Sequence, residues 1–381
     1  MKVLFVTQYG ALAASSRTRV FQYLPYLVQC GVESSVITVL PDRAIAGSQI
    51  VVTDNPLGKL RYYAWALWRT LSSGILAWWR ARPADVLFIQ KVIFPRPVRW
   101  LLRRCRCPVV YDFDDAIFTT EVRETRSWLA AWKERRNATG LPGMLKLAAV
   151  AVVENEYNAD FARSYCEVAT ITGPIDTELY QMSDRVSDRV SDRARNRSGC
   201  KDEGVVLGWI GSATSRQYLE LIRGPLGRLS RRFPQLKLHV VGAESPQVEG
   251  LRVESKDWNL EEEGEDLRGF DIGLMPISDD PWTRGKGGYK LLQYMATGLP
   301  VVTSPVGINR QIVRDGESGF WARSPGEWEE RLALLIESPE LRQEMGRRGR
   351  ATVEEKYALG VQQERFLGIL RGVCSSERAS L

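Results

Sequence analysis

Strand-like and helix-like stretches alternate along this chain in two separate series, and the segment between them can build no core. The first series opens with MKVLFVTQ as a strand. SSRTRVFQYLPYLVQCG follows as an amphipathic helix with an internal proline, then SSVITVL, ADVLFIQ, PVVYDF and EVATIT as further strands. The basic stretch RPVRWLLRRCRC lies between ADVLFIQ and PVVYDF. Such alternation predicts a parallel sheet covered by helices. Next comes YQMSDRVSDRVSDRARNRSG, in which SDRV occurs twice from Ser183 and is followed by SDRA. With almost no apolar residue, this repeat reads as a solvated linker. From Gly204 the alternation restarts: strands VVLGWIG, LKLHVVG and FDIGLMP, a helix KGGYKLLQYMATG, a strand PVVTS and two charged helices beyond Pro325. SATSRQYLELI begins a helix after the first of these strands. The expectation is an α/β chain of two Rossmann-like domains, 1–180 and 204–360, joined by a linker at 181–203. A C-terminal helix and tail at 361–381 packs back toward the first domain. Open parallel sheets bind ligands outside the carboxyl ends of their strands, so two facing sheets would enclose a ligand.

Length supports two cores, since 381 residues exceed a typical single domain. No stretch approaches the ~18 consecutive apolar residues of a membrane span. The run after the first lysine is too short for a secretory leader, and the six cysteines are scattered, so the expected compartment is the cytoplasm. The lone pair Cys105 and Cys107 has no second pair to complete a zinc site. The net charge of +6 is uneven: residues 43–136 hold 17 Lys/Arg against 8 Asp/Glu, whereas residues after 203 hold 24 against 25. A basic first domain suits an anionic membrane surface or a phosphorylated substrate. Nucleic acid is not expected, because the excess is confined to one domain.

The densest chemical signal is TRGKGGYKLLQYMATGLPVVTSPVG, Thr283 to Gly307. Gly298 is a helix C-cap and Pro300 prevents continuation. Leu291, Leu292, Met295 and Ala296 recur at helical spacing, and Lys286, Lys290, Gln293 and Thr297 fall on another stripe. Gly287 and Gly288 stand at the N-terminal end, where backbone N–H groups and the helix dipole favour an anion. Two lysines beside that end make a diphosphate site. It matches neither common nucleotide fingerprint, because glycine follows Lys286 where a phosphate loop needs Ser or Thr, and no GxGxxG occurs.

The stretch from DIGLMP through KLLQYMATGLPVVTSPVG resembles the donor-binding half of glycosyltransferase family 4, the retaining nucleotide-sugar transferases of GT-B fold. GWIGSATSRQYL, ENEYNADFARSYC, ITGPIDTELY and SSRTRVFQYLPYL extend the resemblance over nearly the whole chain. It implies a nucleotide diphosphate sugar donor of UDP or GDP type, bound with Gly211, Ser212, Arg216, Gly287, Gly288 and Gln293. Two departures stand out. The family's paired glutamates fall on Gly285 and Gln293, and its diphosphate-binding Arg and Lys fall on Ser212 and Gln217. Lys286 and Lys290 are the replacements expected to meet the leaving diphosphate, with Gln293 bonding a ribose hydroxyl. Base recognition is expected from backbone at 256–259.

In the first domain, YDFDDAIF places Asp112, Asp114 and Asp115 after a strand, where the family often has Asp-x-His-Asp. Asp114 or Asp115 is expected to orient an acceptor or sugar hydroxyl, the competing reading being a helix N-cap. No metal and no cofactor are expected. Gly10, with the small residues after it, lets backbone approach the leaving group, and Arg17 and Arg19 point either to phosphate or to solvent. His239, the only histidine, reads as a core residue of its strand. Trp65, Trp68, Trp78 and Trp79 interleave with arginines in a helix of interfacial composition. The resemblance implies a retaining glycosyltransferase acting on a hydroxyl of a glycan, lipid-linked or small-molecule acceptor, in cell-surface polysaccharide or glycolipid synthesis, with a peripheral position at the inner face of the membrane. The alternatives are a nucleotide-sugar epimerase of the same fold or a non-catalytic sugar-nucleotide-binding protein.

Overall fold

A computed structural model describes residues 1–42, 56–119, 128–182 and 204–378. The repeat at 183–203 lies outside them. The chain divides into two units: the first comprises 1–174, 285–287 and 362–381, the second 175–284 and 288–361.

The first unit holds a six-stranded parallel sheet of β1 (Lys2–Tyr9), β2 (Glu33–Leu40), β3 (Val86–Gln90), β4 (Val109–Phe113), β5 (Val150–Val153) and β6 (Glu167–Thr170). Their spatial order is β2-β1-β3-β4-β5-β6, so the direction of winding reverses between β1 and β3. β3 and β4 are buried along their whole length, as strands covered on both faces must be. The stretch expected as one amphipathic helix after β1 is two, Ala14–Arg19 and Leu24–Gln29, joined by a 3₁₀ turn. Pro25 sits in the first turn of the second helix, where its missing N–H costs nothing. Phe366, from the last helix Leu359–Arg378, stacks on Tyr23 with ring centroids 4.3 Å apart.

The second unit carries β7 (Val206–Ile210), β8 (Lys237–Val241), β9 (Arg252–Lys256), β10 (Ile272–Met275), β11 (Val301–Thr303) and β12 (Gly319–Trp321) in the order β12-β11-β10-β7-β8-β9. Alternate residues of β7 serve opposite faces. Leu207 and Trp209 join a cluster with Leu226, Leu229 and Leu332, while Val206 and Ile210 join Leu291, Tyr294 and Met295. Gly208 is glycine because a Cβ there would overlap the Phe270 ring. Winding reverses between β7 and β10, the position where a doubly wound sheet opens a crevice for ligand.

Candidate active site

At that reversal β7 and β10 pair only through Ile272–Leu207 and Gly273–Gly208 and then diverge. Tyr294 occupies the point of divergence: its hydroxyl accepts from the Ile210 N–H at 3.0 Å and donates to the Leu274 carbonyl at 3.3 Å. Gly273 makes room for its ring. This anchors the helix Tyr289–Ala296 at the carboxyl ends of the two strands. The helix begins later than the sequence suggests. Gly288 is its N-cap in the left-handed conformation (φ 70°), and no side chain caps it. Lys286 therefore precedes the helix and does not share a stripe with Lys290.

Lys290, the second residue of that helix, reaches the 3₁₀ helix Ala213–Ile222 that follows β7. Its Nζ donates to Ser215 Oγ at 3.3 Å and lies 4.2 Å from the centre of the Trp209 ring. Gly211 leaves the space that Nζ fills, since a Cβ there would overlap it. Ser212, at the start of that 3₁₀ helix, and Thr214 within it bring their hydroxyls to 2.9 Å. Arg216, three residues on from Ala213, has its Nε buried without a hydrogen-bond partner. Gly211 and Ser215 thus meet Lys290 beside the helix N-terminus at Gly288, while Arg216 lies on the same segment with Glu220 at 4.0 Å.

Gln293 is turned inward. It is 4% exposed, and its Nε2 donates to Tyr180 Oη at 3.0 Å. Tyr180 Oη in turn donates to Glu263 Oε1, and Trp258 Nε1 donates to Glu263 Oε2. The Gln293 amide, expected to bond a ribose hydroxyl, is here bonded to Tyr180. Lys256, near the expected base site, is held by Glu262 at 2.5 Å and Asp266 at 2.7 Å. His239 is half-exposed and bonded to Glu254 at 2.7 Å, so it is no core residue: its strand face meets β9, an edge strand.

The first unit gathers charge at the carboxyl ends of β3, β4 and β5. Arg19 is 2% exposed, and its Nε donates to Asp112 Oδ2 at 2.9 Å and its Nη1 to the Ile171 carbonyl at 2.6 Å, with Glu154 Oε1 at 3.5 Å. It points neither to phosphate nor to solvent. Lys91 Nζ lies 2.6 Å from Asp114 Oδ1 and 2.7 Å from Asp115 Oδ2. Lys91 is the one described non-glycine residue with positive φ, 61°, a strained conformation, and its N–H donates to the Asp112 carbonyl at 2.7 Å. Burial works against its charge, but the two carboxylates outweigh it and raise its pKa well above normal. Burial also opposes ionisation of Asp115; Lys91 and then Lys286 overcome this and lower its pKa. No helix starts at Asp115, so the N-cap reading fails.

Glu154 is buried beside this group. Burial pushes its carboxyl up to about 8 against the pull of Arg19, with Asp114, Asp115 and Asp112 adding to the rise. Gly287 packs on that carboxyl, where any Cβ would collide. Asn155 Nδ2 holds the same turn through the carbonyls of Gly285 at 2.9 Å and Lys286 at 3.2 Å. Asn158 Nδ2 adds a bond to Gly285 O at 3.0 Å. Gly10 abuts the Asp42 carboxylate, which accepts from the Leu12 N–H at 3.2 Å, and Arg17 bonds the Leu12 carbonyl at 3.2 Å. Among the described residues no group of three or more His, Cys, Asp or Glu is placed to hold a metal ion. Asp112 is committed to Arg19, and Asp114 and Asp115 to Lys91. Lys91, Glu154, Asn155 and Asn158 escaped the sequence reading as site residues.

Residues 275–352 match the model of the family described as glycosyl transferases group 1. A stretch of 87 residues is 36% identical to the trehalose synthase of Pyrococcus horikoshii, covering 23% of this chain and 21% of that protein. The chain thus spans about a fifth of the length of this curated relative. Sucrose-phosphate synthase from Thermosynechococcus elongatus superposes with a TM-score of 0.70 at 12% identity, over 99% of this chain and 100% of that one. HepE from Anabaena in complex with UDP and glucose gives 0.64 at 14% identity, over 98% and 100%. UDP-GlcNAc 2-epimerase from Neisseria meningitidis bound to UDP-GlcNAc gives 0.58 at 14% identity, over 98% and 100%. The chain therefore has the GT-B fold of two Rossmann-like units, and Lys290 with its helix lies inside the segment that matches the group 1 glycosyl transferases.

Proposed function

We propose that the chain is a retaining glycosyltransferase of family 4 type that moves a sugar from a nucleoside diphosphate sugar to a hydroxyl. The acceptor is a glycan, a lipid-linked sugar or a small molecule, in cell-surface polysaccharide or glycolipid synthesis at the inner face of the membrane. The observation that carries the reading is Lys290, seated against Gly211 at the winding reversal of the second sheet, beside a helix N-terminus without a side-chain cap. A diphosphate placed there meets a full positive charge, the helix dipole and the hydroxyls after β7. HepE with UDP or UDP-glucose, and the epimerase with UDP-GlcNAc, support a UDP-type donor.

As the glycosidic bond breaks, negative charge grows on the leaving diphosphate, and Lys290 stabilises it most when it is fully formed. The leaving oxygen takes the acceptor proton in a front-side substitution that keeps the anomeric configuration. Asp114 and Asp115, both paired with Lys91, orient the acceptor hydroxyl, and Lys91 and then Lys286 outweigh burial to lower the pKa of Asp115. An epimerase would instead invert one carbon of the donor sugar without any acceptor and return an isomeric nucleotide sugar. Incubation with a panel of UDP- and GDP-sugars, with and without acceptor glycans, tests the reading. Acceptor-dependent nucleotide release is expected, and Lys290→Ala should lower it about 10²–10³-fold while leaving the melting curve within roughly 2 °C. Unchanged turnover in Lys290→Ala would move the diphosphate elsewhere.

A further inference from the structure

The helix Pro56–Arg80 is built inside out for a soluble domain. Its packed side is made of small residues: Ser73, Gly74 and Ala77 are buried, with Ala81 just beyond. A Cβ at Gly74 would overlap Val98 of the neighbouring helix Arg96–Leu102, so that close approach requires glycine. Arg69 also turns inward, donating to the carbonyls of Val39 at 2.9 Å and Thr38 at 2.8 Å. The large apolar side chains face outward instead. Trp68 is 60% exposed, Trp79 59% and Ile75 52%, with Leu57, Leu60 and Trp65 also exposed. Leu57, Leu60, Trp68, Ile75 and Trp79 fall on steps of three, four, seven and eight residues, which keeps them on one face. At ~1.5 Å per residue that face runs about 33 Å. The adjacent helix adds Trp100, 56% exposed, with the Arg104 guanidinium 3.2 Å above its ring.

Around this ridge the charge has one sign. Residues 56–106 contain eleven Lys/Arg and a single acid, Asp85. Arg61, Arg80, Arg82, Arg96, Arg103, Arg104 and Arg106 are exposed. Among the described residues no helix is long and apolar enough to cross a membrane, so the ridge cannot be a span. Tryptophan and leucine on one face, flanked by arginines, is the composition that lies in a headgroup layer. A second copy of the chain fits poorly: a two-fold contact through this face would set both arginine sets against each other with one aspartate apiece to answer them.

We infer that the outer face of the Pro56–Arg80 and Arg96–Leu102 helices is a docking surface for an anionic lipid bilayer, its tryptophans entering the headgroup layer and its arginines meeting lipid phosphates. The inference deepens the proposed inner-membrane position and is independent of the donor site. The test is co-sedimentation of the full chain with vesicles of phosphatidylcholine, with and without phosphatidylglycerol, at about 0.05 M and about 0.5 M salt. Binding is expected only with phosphatidylglycerol and should weaken at high salt. Arg103→Gln with Arg104→Gln should lower partitioning about thirtyfold. Trp68→Glu with Trp79→Glu should lower it at least about tenfold and leave the melting curve unchanged. Absence of binding to anionic vesicles at low salt overturns the inference, as does wild-type binding by the tryptophan variant. So does a solution dimer that the tryptophan variant abolishes while vesicles stay unbound. Soluble-acceptor transfer by a chain that ignores vesicles would remove the docking surface and leave the transferase reading standing.

Discussion

Replacing Gln293 with glutamate restores the residue that the family resemblance expects, and the structure says it should harm the fold. Gln293 Nε2 is a donor to Tyr180 Oη at 3.0 Å, and the Tyr180 proton is already given to Glu263. Glu263, Gln293 and Tyr180 are all buried. The ionised carboxylate of Gln293→Glu could only accept, so the hydrogen bond is lost, worth ~1 kcal/mol. Two carboxylates would then stand about 5 Å apart; at an effective dielectric of about 20 their repulsion is roughly 3 kcal/mol. That repulsion alone lifts the pKa of the new carboxyl by ~2, and burial lifts it further. At pH 5 the introduced side chain is protonated and can donate to Tyr180, so stability should be near wild type. At pH 8 it is ionised, and the loss is ~3–4 kcal/mol, about 6–16 °C in melting temperature for a unit of this size. Thermal melts of Gln293→Glu beside wild type across pH 5–8 measure this directly. Coincident melts at pH 8 would refute the reasoning and return Gln293 to the ligand.

Glu154 gives a slope of the same sign in the native chain: its folded pKa of about 8 lies above its ordinary 4.5, so the folded state holds the extra proton between those values. Stability should therefore fall as pH rises through that window, by at most about 5 kcal/mol, and Glu154→Gln should flatten the fall; parallel melting profiles would reject the assignment. Transfer should persist in chelator, because Asp112 is paired with Arg19, and Asp114 and Asp115 with Lys91; activity that vanishes in EDTA and returns with Mn²⁺ would show that these pairs open to bind metal.

What the sequence made legible, and what it hid, divides along one physical line: local pattern against strand order. Strands such as VLFIQ, VVYDF and VLGWI are continuous apolar runs and could be read directly. β9, RVESK, is a polar strand paired on one side only, β12 has three residues, and β5, VAVV, runs on from Leu147, Ala148 and Ala149 without a break in apolar character, so none stands out. The lysine–glycine signal at Lys290 survived, but two consecutive glycines leave a helix start undetermined, and Gly288 in the left-handed region excluded Lys286 from the helix. The charged group of the first unit shows the limit most clearly. Lys91, Asp114 and Glu154 are each the first residue past an apolar strand, after Gln90, Phe113 and Val153. That position is a usable local signal, because a charge there leaves the covered part of the sheet for its carboxyl edge. What no local signal supplies is that β3, β4 and β5 lie side by side in register, with Gln90 opposite Asp112 and Asp112 opposite Val152. Only that order turns three isolated ionisable residues into a group in which Lys91 clamps two aspartates and burial raises the pKa of Glu154 beside them. The chemistry of the first unit is therefore a property of topology, and the strained backbone at Lys91 is its local trace.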